Sequence, residues 1–351
     1  MGSEPLRVWA GDLSDVDVHG RSERLATHPI VRAHLDDRLD ATELADRYGS
    51  LLTDYRLTDL DEAEIAVLPL AFERTRQVDL HRRLQQAEGA GLRTLTFSID
   101  DLEPLMPSDS MVLLHPGPTR GAQRRGMALA VPYVFTDRAN GSWRREATER
   151  PTVAFCGQGT SRRGASLALT ARRALASAQN RLKPNVVTPP VRGHVSLRAR
   201  ALRSLHNDPR VDDRFVIRDQ YRAGAVSDAE RSQTQADFDD NLRSASYALC
   251  VRGTGNFSAR FYEALSFGRI PLFVDTSCIL PFEDEVDWRQ RCVWIERSQI
   301  DRISDLLVTA HDADDPSSPR SVDSLRSLWE QRLTQDGFFR HFVGTVRRWT
   351  S

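Results

Sequence analysis

Lysine is almost missing from this 351-residue chain: Lys183 is the single example, so nearly all of the 48 positive charges sit on arginine. With abundant alanine, that usage is what a GC-rich, bacterial genome writes, and it carries no mechanism. Cysteine is scarce as well. Cys156, Cys250, Cys278 and Cys292 lie in or beside apolar runs, and no two stand at CxxC spacing. That pattern excludes a disulfide framework and a zinc site and predicts buried free thiols. A surplus of either charge is missing too. The formal net charge is -1, so no overall field draws in nucleic acid or an anionic membrane, and any anion site has to be a local cluster of arginines. Long hydrophobic runs are absent, and the longest are strand-sized, too short to span a bilayer. Residues 1–8 have no apolar h-region, so no signal peptide is expected. The expectation is a cytoplasmic protein, with peripheral contact at the inner face of the membrane left open.

Several motifs of phosphate and metal chemistry are also missing. There is no GxxxxGK[ST], no HExxH and no GxSxG, which removes phosphate-loop kinases, zincin proteases and serine hydrolases. The nine histidines show no metal spacing. DxD-like pairs occur at Asp15/Asp17, Asp237/Asp239 and Asp312/Asp314, but none follows an apolar strand as a metal-bridging pair would. They read as solvated acids of loops and helix starts, and no metal or other cofactor is expected.

What is present is the composition of a globular protein, 40% hydrophobic and 28% charged, long enough for two domains. Short runs rich in Val, Leu and Phe alternate with longer helical patterns. Strands are predicted over 6–10, 65–72, 92–99, 111–115 and 128–135, then over 152–156, 185–188, 214–217, 247–251, 270–274 and 292–295. Helices are predicted over 73–88, 166–181, 236–244, 258–267 and 298–310. Alternating elements of this kind make an α/β fold with mostly parallel sheets covered on both faces. The polar stretch 136–151 separates the halves as a linker. The division expected is 1–148, 149–319 and a tail, 320–351, of two helices that pack back across the domains. Two such domains in tandem create a cleft at the carboxyl ends of their strands.

The segment 247–275 is the densest in chemistry. A buried strand ends at Val251 and a turn of Arg252, Gly253, Thr254, Gly255 and Asn256 follows. A helix begins near Ser258, a residue that favours the N-cap, and Gly268 closes it. Glycines admit a ligand close to the backbone, and free N–H groups at a helix start favour a phosphate. Arg252 and Arg260 add charge and paired hydrogen bonds. Glu263, one turn into the helix, could accept both hydroxyls of a ribose. The plainer alternative is an ordinary βαβ turn in which Arg260 and Glu263 form an i,i+3 ion pair.

This segment resembles the exostosin-type glycosyltransferases, whose C-terminal domain carries Ser-x-Arg-x-x-Glu-Ala and then Gly-x-Ile-Pro. Here those places hold Ser258, Arg260, Glu263 and Ala264, then Gly268, Ile270 and Pro271. Leu280-Pro281-Phe282 and Asp287-Trp288 follow at the family's spacing, and weaker similarity extends to 61–69 and 153–157. The resemblance implies a GT-B fold of two Rossmann-like domains facing across a cleft. It also implies an inverting transfer from a nucleotide-sugar, a UDP-sugar, to a hydroxyl of a glycan or glycosylated small molecule, with no obligatory metal. Carried over, Ser258, Arg260 and Glu263 belong to the donor site, with Asn256, Gly255 and Arg252 matching less closely.

A second glycine turn runs from Gly157 through Gly159 to Arg162, Arg163 and Gly164. It is not a GxGxxG, so the dinucleotide fingerprint fails, yet it could hold a donor pyrophosphate or be a solvated surface loop. Arg218, at another strand end, points to the same rim. An inverting transfer needs a general base for the acceptor proton. Asp12, Asp100, Asp101 and His115 qualify by position in the first half, Asp101 foremost. The family has Asp-His where this chain has Asp100-Asp101, which leaves the acceptor side open. Two other readings stand beside transfer: a non-transferring enzyme such as a nucleotide-sugar epimerase, and a nucleotide-sugar-binding protein without catalysis.

Overall fold

The computed structural model describes residues 4–120, 127–134, 136–139, 141, 143–159, 194–218, 224, 227–315 and 317–350. Arg162, Arg163 and Gly164, the helix expected over 166–181 and the strand expected over 185–188 lie outside the described residues, as does Phe135. The chain divides into two compact units. One runs to Pro132 and includes the stretch from Gln331 onward. The other holds most of Tyr133 to Glu330.

The first unit is built on a six-stranded parallel sheet. Its strands are β1 (Leu6–Trp9), β2 (Tyr55–Leu57), β3 (Ile65–Val67), β4 (Thr94–Phe97), β5 (Met111–His115) and β6 (Met127–Ala130), ordered β2-β1-β3-β4-β5-β6. Register is direct, with Thr94 beside Met111 and Val112 beside Met127. All residues of β3 and β5 are buried, as expected where helices cover both faces of a parallel sheet. Strand β2 has no counterpart in the apolar runs of the sequence. It is three residues long at the sheet's edge, and Tyr55 is placed by a hydrogen bond from its hydroxyl to the Phe339 carbonyl, 2.6 Å away.

That bond ties strand β2 to the last helix of the same unit, Gln335–Thr350. The Asp336 carboxylate accepts the Ser50 N–H at 2.6 Å, and the Asp336 carbonyl accepts the Ser50 hydroxyl at 2.9 Å. Gly49 makes this possible: its φ is 42°, and a Cβ there would stand 2.3 Å from Asp336 Oδ1. Phe338, Phe339 and Phe342 bury the helix's apolar face.

The second unit holds a five-stranded parallel sheet. Its strands are β7 (Thr152–Gln158), β8 (Asp212–Arg218), β9 (Tyr247–Cys250), β10 (Ile270–Asp275) and β11 (Val293–Glu296), ordered β11-β10-β9-β7-β8. β9 and β10 are wholly buried and carry the core. The four cysteines are buried free thiols. The polar stretch before β7 is strapped to this unit. Arg269, 2% exposed, donates to the carbonyls of Leu242, Arg144 and Arg243. Arg326 pairs with Asp137 and lies over the Trp143 ring.

Counted from its own first strand, each sheet runs 2-1-3-4-5, the first adding a sixth strand. In such a sheet the order reverses between strands 1 and 3, and the loops leaving their carboxyl ends open a crevice there. The reversal falls between β1 and β3 in the first unit and between β7 and β9 in the second. Among the described residues, no helix is long and apolar enough to cross a membrane.

Candidate functional site

At the reversal in the second unit, two arginines meet one aromatic ring. Phe155 of β7 is fully buried. Arg260, on the helix Ala259–Ser266, places its guanidinium 4.5 Å from the Phe155 centroid and 5.2 Å from that of Phe238. Arg198, on the helix His194–His206, stands 5.7 Å from the same Phe155 ring. Each is held by carbonyls at strand ends. Arg260 donates to Cys156 O. Arg198 donates to Gln158 O at 2.8 Å and to Arg252 O at 3.1 Å, bridging the exits of β7 and β9.

Gly157 is required where it stands. Its φ is 155°, and a Cβ would lie 3.3 Å from Arg260 Nη2.

The electrostatics of this pair are unusual. Among the described residues, neither Arg198 nor Arg260 has a carboxylate within ion-pair distance. Burial, and then the charge of Arg260, hold the Arg198 pKa down to about 10. Burial also lowers that of Arg260. Both stay charged at neutral pH. Cations taken from water without a counter-charge are costly, and an anion placed between them offsets that cost.

Around them lies the loop that leaves β9. The Gly253 N–H closes it onto the Phe257 carbonyl at 2.9 Å. Arg252 Nη1 donates to Asn256 Oδ1 at 3.0 Å, and the same oxygen accepts the Thr276 hydroxyl at 2.8 Å. Asn256 is buried, as is Gly255, and its Nδ2 has no hydrogen-bond partner among the described residues. Ser258 occupies the N-cap position, but its side chain makes no capping bond. Among the described residues the first-turn amides thus receive no bond from the Ser258 side chain, a correction to the cap expected of it. Arg218, at the end of β8, is engaged by Asp237 at 3.1 Å and by the Thr234 carbonyl.

Glu263 does not pair with Arg260. Its Oε1 accepts from Arg138 Nη2 at 2.9 Å, while Arg138 Nε reaches both oxygens of Asp239 at 3.1 Å. The helix turns Arg260 toward β7 and Glu263 toward the stretch before β7. The i,i+3 pair of the plainer reading is thus replaced by a partner far away in sequence. Burial raises the Glu263 pKa, and Arg138 and Arg260 oppose that rise. The DxD-like acids are likewise taken up by arginines: Asp237 by Arg218, Asp239 by Arg138, and Asp314 by Arg145 and Arg320.

In the first unit, the residues considered for proton removal all lie at the carboxyl ends of strands. Asp12, after β1, is exposed. Its Oδ1 accepts the Ser14 N–H at 3.0 Å, and bonds from Ser14 hold its pKa down. Arg83 pins the same loop by donating to the carbonyls of Ala10 and Asp12. Asp100 and Asp101, after β4, are exposed. His115, ending β5, is fully buried. Its Nδ1 accepts the Gly117 N–H at 3.1 Å, so the proton sits on Nε2, which donates to Asp100 O at 3.2 Å. With both nitrogens committed and burial depressing its pKa, His115 holds the loop instead of offering a lone pair. That corrects its place among the candidate bases.

Sequence reasoning missed Arg198, Arg138 and Phe155. Arginine is so frequent in this chain that neither cation stood out. Phe155 read as one more strand residue.

Residues 108–310 match the Exostosin GT47 domain. Among curated proteins, the chain is 31% identical over 118 residues to Exostosin-1 of Drosophila melanogaster, which covers 34% of this chain and 14% of that protein. It is 30% identical over 76 residues to a probable glucuronosyltransferase of Oryza sativa subsp. japonica, covering 22% and 18%. It is 29% identical over 104 residues to an Exostosin-1 homolog of Caenorhabditis elegans, covering 30% and 25%. The matches thus span a quarter or less of the relatives' own lengths. Among solved structures, the spinosyn rhamnosyltransferase SpnG with spinosyn aglycone overlays 92% of this chain and 79% of its own at a TM-score of 0.31 and 13% identity, too distant to bear on the site.

Proposed function

Because the chain belongs to the exostosin GT47 family, we propose that it is an inverting glycosyltransferase. It moves a sugar from a nucleotide-sugar, a UDP-sugar, to a hydroxyl of a glycan or glycosylated small molecule. Each unit is a parallel-sheet α/β domain of the kind a GT-B fold is built from. The observation that carries this reading is the pair of half-buried cations, Arg198 and Arg260, at the exits of β7 and β9, with no carboxylate on either among the described residues.

The chemistry follows from charge. As the acceptor oxygen attacks the anomeric carbon, the bond to the diphosphate breaks and its electron pair leaves on the phosphate. Arg198, Arg260 and the uncapped amides after Ser258 receive that charge, in the place a metal ion takes in other transferases. The acceptor proton passes to a carboxylate of the first unit, Asp101, Asp100 or Asp12. Glu263 binds the ribose.

The test is calorimetric titration of UDP into wild type, Arg198→Gln and Arg260→Gln. Hydrogen bonds to a charged partner contribute about 1.5–3 kcal/mol, so each variant should lose roughly ten- to a hundredfold in affinity. Wild-type affinity in both folded variants would remove the diphosphate from this site. The relatives named probable glucuronosyltransferases put UDP-glucuronate first in a donor panel.

A further inference from the structure

Arg138 lies outside every strand and helix, in a stretch whose composition reads as connecting chain. It is nevertheless held from three sides. Asp239, on the helix Asp228–Arg243, accepts from its Nε with both carboxylate oxygens at 3.1 Å. Arg243 of the same helix donates to the Arg138 carbonyl at 2.9 Å. Its Nη2 reaches Glu263 Oε1 at 2.9 Å. All three side chains are largely sheltered, with 21% of Arg138, 10% of Asp239 and 15% of Glu263 exposed.

We propose that Arg138 is a positioning residue for donor binding: fixed by Asp239, it holds the Glu263 carboxylate charged and in one orientation for the ribose hydroxyls. The inference rests on the reading of Glu263 as the ribose acceptor. One oxygen of Glu263 is committed to Arg138. The other accepts no hydrogen bond among the described residues. A carboxylate left alone at this depth would take up a proton or turn away, because desolvation penalises its charged form. The planar guanidinium suits the task, since it serves two carboxylates at once through separate N–H groups, which an ammonium cannot match.

The charged and titratable groups facing Glu263 are Arg138 from the stretch before β7, Asp239 from the helix Asp228–Arg243, Arg260 from its own helix and Cys250 from β9. Burial pushes the Cys250 thiol far up, so it stays neutral. Arg138 and Arg260 oppose the rise that burial imposes on Glu263, and Asp239 adds to it. Removing Arg138 therefore raises the Glu263 pKa further. Nucleotide affinity should then fall as pH drops and recover as pH rises through that raised pKa.

UDP is titrated calorimetrically into the full chain as wild type, Arg138→Gln, Arg138→Lys, Glu263→Gln and the double variant Arg138→Gln/Glu263→Gln, from pH 6 to pH 9, with melting curves alongside. Arg138→Gln should bind UDP roughly tenfold more weakly at the low end and approach wild type at the high end, while adding no loss in the Glu263→Gln background. Arg138→Lys should lie between. It carries the test if the glutamine variant does not fold. Two results overturn the inference: wild-type affinity at every pH in a folded Arg138 variant, or an equal loss with and without Glu263, which would make Arg138 a purely structural latch. Wild-type affinity in Glu263→Gln itself would instead overturn the ribose assignment, and the inference with it.

Discussion

Single side chains divide here into those whose bonds are complete and those whose bonds are not. His115 is complete: both ring nitrogens are used inside the fold. Asp100 and Asp101 are exposed at the end of β4, and Asp12 at the end of β1. If Asp101 or Asp100 takes the acceptor proton, its Asn variant should lower turnover by about 10²–10⁴-fold while leaving UDP affinity near wild type. Steady-state kinetics with a responsive acceptor, paired with UDP titration, separate the two effects. Undiminished turnover in both variants would move the search to Asp12.

Arginines make the same division at the level of elements. Arg269 straps the stretch before β7 to the second unit through three carbonyls. Arg200 meets Asp301 on the surface, where 49% and 71% of the two side chains are exposed. Arg269→Met would strand three carbonyls and should destabilise the unit by about 2–4 kcal/mol, whereas Arg200→Gln should cost under about 1 kcal/mol. Urea unfolding midpoints of the two variants compare them directly, and equal midpoints would contradict the strap.

Elements also show how far local pattern reaches. Among the described residues each expected strand begins within two residues of its apolar run, because buried parallel strands are written as continuous hydrophobic runs, but those expected over 65–72 and 128–135 stop early, at Val67 and Ala130. Strand β2 and the short helices of 21–53 were not legible, since they are brief and settled by tertiary packing. The Ser-x-Arg-x-x-Glu segment could be read as a site because its residues share one turn and one helix. Arg138 reaches Glu263 from 125 positions away, and Arg198 reaches Arg252 from 54, distances that no local pattern spans.

The whole molecule repeats one plan, two parallel sheets of the same strand order, each opening a crevice where that order reverses. In the second unit Arg198 and Arg260 stand at the exits of β7 and β9, and in the first Asp12 follows β1 while Asp100 and Asp101 follow β4. If cations and helix amides suffice for the leaving diphosphate, transfer should proceed at an unchanged rate in EDTA. Complete loss restored by manganese would contradict that division of labour.

The central claim is that the reversal between β7 and β9 holds a nucleoside diphosphate. A crystal structure of the protein with UDP tests it most directly. The expected result is the diphosphate against Arg198 and Arg260 beside Gly157, with the ribose hydroxyls on Glu263. UDP bound elsewhere, or at this crevice with Glu263 still turned only to Arg138, would contradict it.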